Sequence, residues 1–322
     1  MIITKTPLRI SFTGGGTDLP DYYNVHDGAV VSAGINKYMY ITVNPKFDHK
    51  IRVSYSETEI VDEVEELRHD IVKEAMKMVG IKGGIEITSI ADIPSGTGLG
   101  SSSAFAVGLL NALYTYAGVR PSAEELASRA CEIEIDILKH PIGKQDQYAA
   151  AYGGMNYFEF HKDGSVLRKR IFLEEADARN MRQKLMLFYT GITRSADDVL
   201  KEQKKNTQDK LATLDFMRNQ AGEMRDILIG EGFNEKFGHM LHEGWMKKQT
   251  LAGSISDPVI ADYYNKALEA GAIGGKLLGA GGGGFLLFYA DEAKQKQIED
   301  AIGLRRVDFH INQNGSRVVF FT

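Results

Sequence analysis

The chain has 322 residues, 43% hydrophobic and 25% charged, with a formal net charge of −5; this suits one or two globular domains with a sizeable core. The acidic balance argues against a nucleic-acid binder, which needs a basic face for the phosphate backbone. One cysteine, Cys131, excludes an intrachain disulfide and fits a reducing cytoplasm, and no apolar leader or run of about 18 apolar residues points to export or a membrane.

Alternating and β-branched runs at 2–12, 29–33, 38–45, 51–55 and 84–91 predict strands. Val64, Leu67, Ile71, Ala75 and Met78 mark one face of a helix over about 65–79. Helices follow at 101–117 and 122–139, the second opened by Ser122 with Glu125 three residues on, a capping box. Gly153-Gly154 returns the chain to strands at 154–160 and 166–172. Beyond about 180 come a strand at 185–190, helices at about 194–206, 208–229, 233–251 and 258–270, and strands at 274–278 and 284–290. A helix at 291–301 and strands at 305–310 and 316–321 complete the chain. The class is α+β, divided into 1–180 and 181–322; with no low-complexity linker, the halves are expected to pack closely around a cleft.

The most informative segment is Pro94-Ser-Gly-Thr-Gly-Leu-Gly-Ser-Ser-Ser-Ala104, which runs directly into the apolar helix. Gly96, Gly98 and Gly100 leave the backbone free to turn several N–H groups toward one ligand, and the helix adds its unpaired donors and positive dipole end. The expected guest is a polyphosphate. Walker chemistry is excluded, because the Gly-Lys pairs at 143–144 and 275–276 are followed by Gln145 and Leu277. The literal Gly-x-Gly-x-x-Gly, Gly279 to Gly284, lies between a helix and a strand, the reverse of a dinucleotide fold.

Three separated segments together resemble the GHMP small-molecule kinases: Lys5-Thr-Pro-Leu-Arg-Ile-Ser-Phe-Thr-Gly-Gly-Gly-Thr-Asp-Leu19, the loop just described, and Lys276-Leu-Leu-Gly-Ala-Gly-Gly-Gly-Gly-Phe285. Their order and separation match, and the resemblance spans essentially the whole chain. Gly34-Ile-Asn-Lys-Tyr38, Gly143-Lys-Gln-Asp-Gln147 and Tyr189-Thr-Gly-Ile-Thr-Arg-Ser195 are most similar to the family's bacterial heptose 7-phosphate kinases. Galactokinases carry Gly-Glu-His-Thr-Asp where this chain has Gly14-Gly-Gly-Thr-Asp18, which speaks against galactose. The resemblance implies a two-domain fold, an N-terminal domain with a left-handed βαβ crossover and a ferredoxin-like C-terminal domain.

It also implies ATP as phosphoryl donor, Mg2+, and a sugar phosphate phosphorylated at its anomeric hydroxyl. Pro94, Gly96, Gly98, Leu99, Gly100, Ser101, Ser102 and Ser103 form the nucleotide cradle; helix capping would explain one serine but not readily three. Ser102 and Glu134 match the metal ligands, although Glu132 and Asp136 are neighbours and only one of the three acids can face the cleft. Asp146 matches the catalytic base, with Arg9 holding it ionised, though it could instead cap the turn Gln147–Ala151. Gly15, Gly16, Thr17 and Asp18 line the sugar, and Gly281 and Gly282 close over the acceptor.

Arg194, at the strand-to-helix turn Thr190–Ser195, is the expected fork for the sugar's own phosphate, on a turn that a plain N-cap would equally explain. His239 and His242 lack a third metal ligand, and the basic run Lys201–Lys210 reads as a solvated helix face. Other acceptors, such as L-fucose or mevalonate, and a catalytically silent ATP-binding regulator stay open, as does a homodimer.

Overall fold

A computed structural model describes every residue except 194–198, 203–207 and 256. Two sheets carry the fold. The larger has the order β12-β1-β2-β5-β3-β4, with β6 and β7 branching from β2. Its strands are β1 (Ile2–Thr13), β2 (Gly28–Pro45), β3 (Ile51–Ser54), β4 (Thr58–Val61), β5 (Ile85–Ala91), β6 (Met155–Phe160), β7 (Val166–Ile171) and β12 (Arg317–Phe321). The smaller is antiparallel, with the order β11-β8-β10-β9, built from β8 (Leu185–Tyr189), β9 (Gly274–Leu277), β10 (Phe285–Tyr289) and β11 (Arg305–Arg306).

The two strands expected at 29–33 and 38–45 are one strand, β2, because the intervening glycine and polar residues stay extended between two partners. Its first part pairs with β6 and its last part with β5, while β1 pairs along most of its length. The ladder with β1 is interrupted between Pro7 and Arg9, where Ile35–Lys37 stand opposite Leu8 alone. Such an irregularity re-aims a side chain, and the Arg9 N–H donates at 3.0 Å to the carbonyl of Leu99 in the glycine loop.

β3 and β5 are parallel neighbours joined through α2 (Asp70–Val79), the next α-helix after the short α1 (Pro20–Tyr23). The loop then opens α3 (Ser101–Tyr116), which is buried on all sides except toward its two ends. Gly108 lets α3 lie directly on β1: a Cβ there would stand 2.7 Å from Thr6 Oγ1, and Thr4 Oγ1 donates to the Gly108 carbonyl at 2.9 Å.

The helix expected at 122–139 is two segments: α4 (Ala123–Cys131), capped by Ser122 and Glu125 as predicted, and a wider π-helical turn, Glu132–Ile137. α5 spans Gln145–Tyr152, and an unexpected helix, α6 (Glu175–Lys184), crosses the region where the first half was expected to end. The helices Leu211–Gly230 and Glu235–Lys248 cover the sheets, and Pro258–Glu269 and Glu292–Ile302 follow the expected pattern. Most of the helix expected at 194–206 lies outside the described residues.

The last strand, β12, pairs with β1 in the larger sheet, so the chain's end belongs structurally with its beginning. One buried apolar cluster runs from Leu8, Ile10 and Phe12 into Met224, Phe237 and Phe285, joining the halves. The two glycine loops meet at this seam: a Cβ on Gly284 would lie 2.2 Å from the Thr97 carbonyl oxygen, and Gly284 has φ +98°. At Gly303, φ is +63° and the surrounding space is open. Gly303→Ala should therefore cost only the left-handed backbone penalty, about 1–2 kcal/mol. Gly284→Ala should cost clearly more in a denaturant titration; equal costs would mean that the seam yields freely.

Candidate active site

The seam opens into a cavity of about 340 Å3. Its walls bring together residues far apart in sequence: Arg9, Ser11, Gly15, Gly16 and Asp18; Gly96, Gly98 and Gly100–Ser103; Glu134, Gln145 and Asp146; and Lys248, Lys276 and Gly279–Gly281. Of the predicted site residues, Pro94, Leu99, Thr17 and Gly282 are not on this wall. Pro94 offers its carbonyl to Thr97 Oγ1 at 2.9 Å, and Leu99 is buried in the core. Thr17 Oγ1 donates to Gly14 O at 2.8 Å, holding the turn, and the Gly282 N–H donates to Ile255 O at 2.8 Å. Arg194 and Ser195 lie outside the described residues.

Gly96, Gly98 and Gly100 all have positive φ, and Gly100 begins α3 with no side chain capping the helix. The first-turn donors of α3 are thus left for a ligand at the cavity. A polyphosphate fits this cradle, and a Cβ on Gly100 would lie 3.2 Å from Asp146 Oδ2, so the loop also admits that carboxylate.

Asp146 sits in the first turn of α5, and its oxygens are held in a fork by Arg9, Nε to Oδ1 at 2.7 Å and Nη2 to Oδ2 at 2.8 Å. The capping alternative does not describe it. Arg9 Nη1 donates to the Gly98 carbonyl at 2.7 Å, so one guanidinium ties carboxylate and loop together. Each carboxylate oxygen keeps a second lone pair for a proton or hydroxyl.

Among the three acids of the π-helical turn, Glu134 is fully buried, while Asp136 is exposed and Glu132 pairs with Arg129 at 2.6 Å. The Glu134 carboxylate accepts from Ser102 Oγ at 3.0 Å and Gln147 Nε2 at 2.7 Å. Burial raises its pKa to about 6 against the lowering effect of these neutral donors, with the Asp146 charge adding to the rise. A buried carboxylate beside a serine hydroxyl at the glycine loop, with only neutral partners, fits a hard divalent cation.

Asp18 is held by the N–H of Gly16 at 2.9 Å and by Gln145 Nε2 at 3.0 Å, and burial raises its pKa. Gly143 has no room for a side chain because a Cβ would meet Asp18 Oδ2 at 2.0 Å. Ser11 Oγ and Gln145 Oε1 are buried without a hydrogen-bond partner among the described residues. Both face a cavity that can supply hydroxyl partners.

Sequence reasoning missed two buried lysines. Lys276 donates to the carbonyls of Ser11 and Phe12 at 2.8 and 2.7 Å, tying the end of β1 to β9; burial, with the Lys248 and Arg9 charges, pushes its pKa well down. It stands at the head of the third glycine segment, which was the available signal. Lys248 donates to the Gly279 carbonyl, and burial lowers its pKa to about 8. Nothing in the pair Lys247-Lys248 distinguishes it from a solvated helix end. Cys131 is buried, with its thiol pKa pushed up, and His242 Nδ1 is 2.8 Å from Tyr264 OH.

The N-terminal domain model of the GHMP kinases matches residues 67–154, and their C-terminal model matches residues 227–306. The chain belongs to the GHMP kinase family. It is 30% identical over 318 residues to D-glycero-alpha-D-manno-heptose 7-phosphate kinase of Campylobacter jejuni, covering 94% of this chain and 93% of that protein. It is 28% identical to the galactokinase of Pyrococcus furiosus, over 94% of this chain and 92% of that one. A crystal structure of a D-glycero-D-manno-heptose 1-phosphate kinase from Bacteroides thetaiotaomicron superposes with a TM-score of 0.83 at 24% identity over 100% of both chains. A sugar kinase structure from Campylobacter jejuni gives 0.76 at 26% identity, over 98% of this chain and 97% of that one. The fold is the two-domain GHMP kinase fold, and the protein is a small-molecule kinase of the sugar-kinase kind.

Glu134 also makes stability pH-dependent. Folded protein keeps its proton up to about pH 6, whereas the unfolded chain releases it near 4.5. The folded state therefore binds more protons between these values, and stability falls as pH rises through them. A shift of this size corresponds to about 2 kcal/mol. Glu134→Gln should raise the Tm of ligand-free protein at pH 8 and do so much less at pH 4.5. A calorimetric gain independent of pH would contradict this electrostatic origin.

Proposed function

We propose that the protein transfers the γ-phosphoryl group of ATP to the anomeric hydroxyl of D-glycero-D-manno-heptose 7-phosphate. The 1,7-bisphosphate would serve nucleotide-activated heptose and surface glycan synthesis in the cytoplasm. The observation that supports the chemistry best is the Arg9–Asp146 fork, fastened to the phosphate loop through Gly98. The choice of acceptor is supported by the 30% identical heptose 7-phosphate kinase.

In this reading the first-turn N–H groups of α3, with Gly96 to Gly100, hold the ATP phosphates. Ser102 and Glu134 would hold Mg2+, which would supply positive charge to compensate the phosphates. Asp18, with Gly15 and Gly16, faces the sugar, and Thr17 keeps that turn in shape. Ser11 Oγ and Gln145 Oε1 receive ring hydroxyls, which would satisfy both unpartnered atoms. Gly281 and Gly282 belong to the segment that closes over the acceptor from the 181–322 half, while residues 1–180 supply the cradle and base.

The acceptor oxygen attacks the γ-phosphorus, the bond from phosphorus to the bridging oxygen breaks with its electron pair leaving on ADP, and the acceptor's proton passes to Asp146. Arg9 holds that carboxylate in place through its two-point fork and offsets charge developing on the transferred group. Arg194 is the proposed partner of the sugar's own phosphate, on chemical grounds alone: a planar fork matched to a phosphate.

Asp146→Asn should leave nucleotide binding within a few-fold and lower kcat by about 10²–10⁴, the range for removing a positioned base. Turnover that survives the change would remove Asp146 from the mechanism. Arg194→Ala should raise KM for heptose 7-phosphate by about ten- to a hundredfold, as expected for a charged hydrogen bond. It should affect unphosphorylated heptose far less; if both acceptors suffer alike, Arg194 does not read the phosphate.

A further inference from the structure

Lys247 and Lys248 end the same helix, yet Lys247 is exposed and Lys248 is 5% exposed. A solvated helix end needs no buried ammonium, and burying a charge is costly unless a partner compensates it. Lys248 lies on the cavity wall, and its Nζ donates to the carbonyl of Gly279. No carboxylate forms an ion pair with it among the described residues, and an ammonium has three donors. Lys276 differs, since its ammonium is engaged by two carbonyls of β1.

The position of Lys248 points to one end of the cavity. A Cβ on Gly279 would stand 2.4 Å from Gly98 Cα, and Gly98 is the residue whose carbonyl binds Arg9. Arg9 and Lys248 are thus anchored on opposite sides of one contact between the two glycine loops. The charges that Lys248 feels are those of Arg9, Asp18 and Asp146, which line the same cavity. The Arg9 guanidinium faces the Asp146 carboxylate, whereas Lys248, with one carbonyl as hydrogen-bond partner among the described residues, keeps donors for an incoming anion.

We infer that Lys248 is a catalytic residue whose ammonium donates to the oxygens of the phosphoryl group as it passes from ATP to the acceptor. The inference rests on transfer taking place beside Asp146 and is independent of which sugar accepts. It assigns a role to a side chain from the 181–322 half in a reaction whose cradle and base come from the other half.

Binding of the non-hydrolysable analogue AMPPNP and of ADP, each with Mg2+, distinguishes a contact with the transferred group from a structural role. Calorimetric titration of Lys248→Met and Lys248→Gln should show AMPPNP weakened about ten- to a hundredfold, the worth of a hydrogen bond to a charged group. ADP should change by less than about threefold. Lys248→Arg, which keeps the charge, should recover part of both AMPPNP affinity and kcat and serves as the variant least disturbing to the fold. Equal weakening of AMPPNP and ADP would overturn the inference, as would unchanged AMPPNP binding with weakened sugar phosphate. Wild-type protein that binds neither nucleotide would remove the transfer-site reading itself, whereas normal wild-type binding without selectivity in the variants removes only the role of Lys248.

Discussion

The Arg9–Asp146 fork is the interaction on which the site depends. Arg9 is 5% exposed at its side chain and Asp146 23%, so the two charges stand where neither is well solvated alone. Removing one partner of such a pair leaves the other uncompensated, typically a loss of about 3–5 kcal/mol when both are buried and less here, where water reaches Asp146. The fork does more than neutralise charge. It joins the first strand, the glycine loop through Gly98 and the start of α5; in the proposed reading this fixes in one place the group that meets a nucleotide and the group that meets a hydroxyl.

Around the fork, Glu134, Asp18, Lys248 and Lys276 are buried without an ion-pair partner among the described residues. Burial raises the pKa of both Glu134 and Asp18 and lowers that of Lys248 and Lys276. These four shifts share a first cause, desolvation, and each disfavours the charged form. A cation at Glu134 and phosphate near Lys248 would each relieve part of that cost, which couples ligand binding to stability. Close contact between the glycine loops keeps the cavity narrow: Gly98, Gly279 and Gly284 allow backbone to lie on backbone where any side chain would hold the halves apart.

Much of this was legible in the sequence. The alternation of glycines before an apolar helix marked a segment that lines the cavity, and the capping box at Ser122 and Glu125 stands as read. The choice of Glu134 among three acids came from resemblance, and the π-helical turn supplies a physical reason: it leaves residue 134 buried while 132 and 136 reach solvent. Other features depend on contacts distant in sequence. The pairing of β12 with β1 was hidden because a strand's pattern does not name its partner. Lys248 reads as a helix-end lysine until the fold brings Gly279 against it. Helix α6 was missed because its polar sequence, Glu-Ala-Asp-Ala-Arg-Asn-Met-Arg-Gln-Lys, buries Met181 alone and so lacks an apolar stripe.

The central claim is that this cavity carries phosphoryl transfer from ATP to the anomeric hydroxyl of a sugar phosphate. It is tested most directly by incubating the purified protein with ATP, Mg2+ and a panel of heptoses, hexoses and their phosphates, following ADP release and the product by phosphorus NMR. ADP should form in equal amount with a new anomeric phosphate, fastest with heptose 7-phosphate. Acceptor-independent ADP release, or a phosphate placed on a non-anomeric hydroxyl, would contradict it.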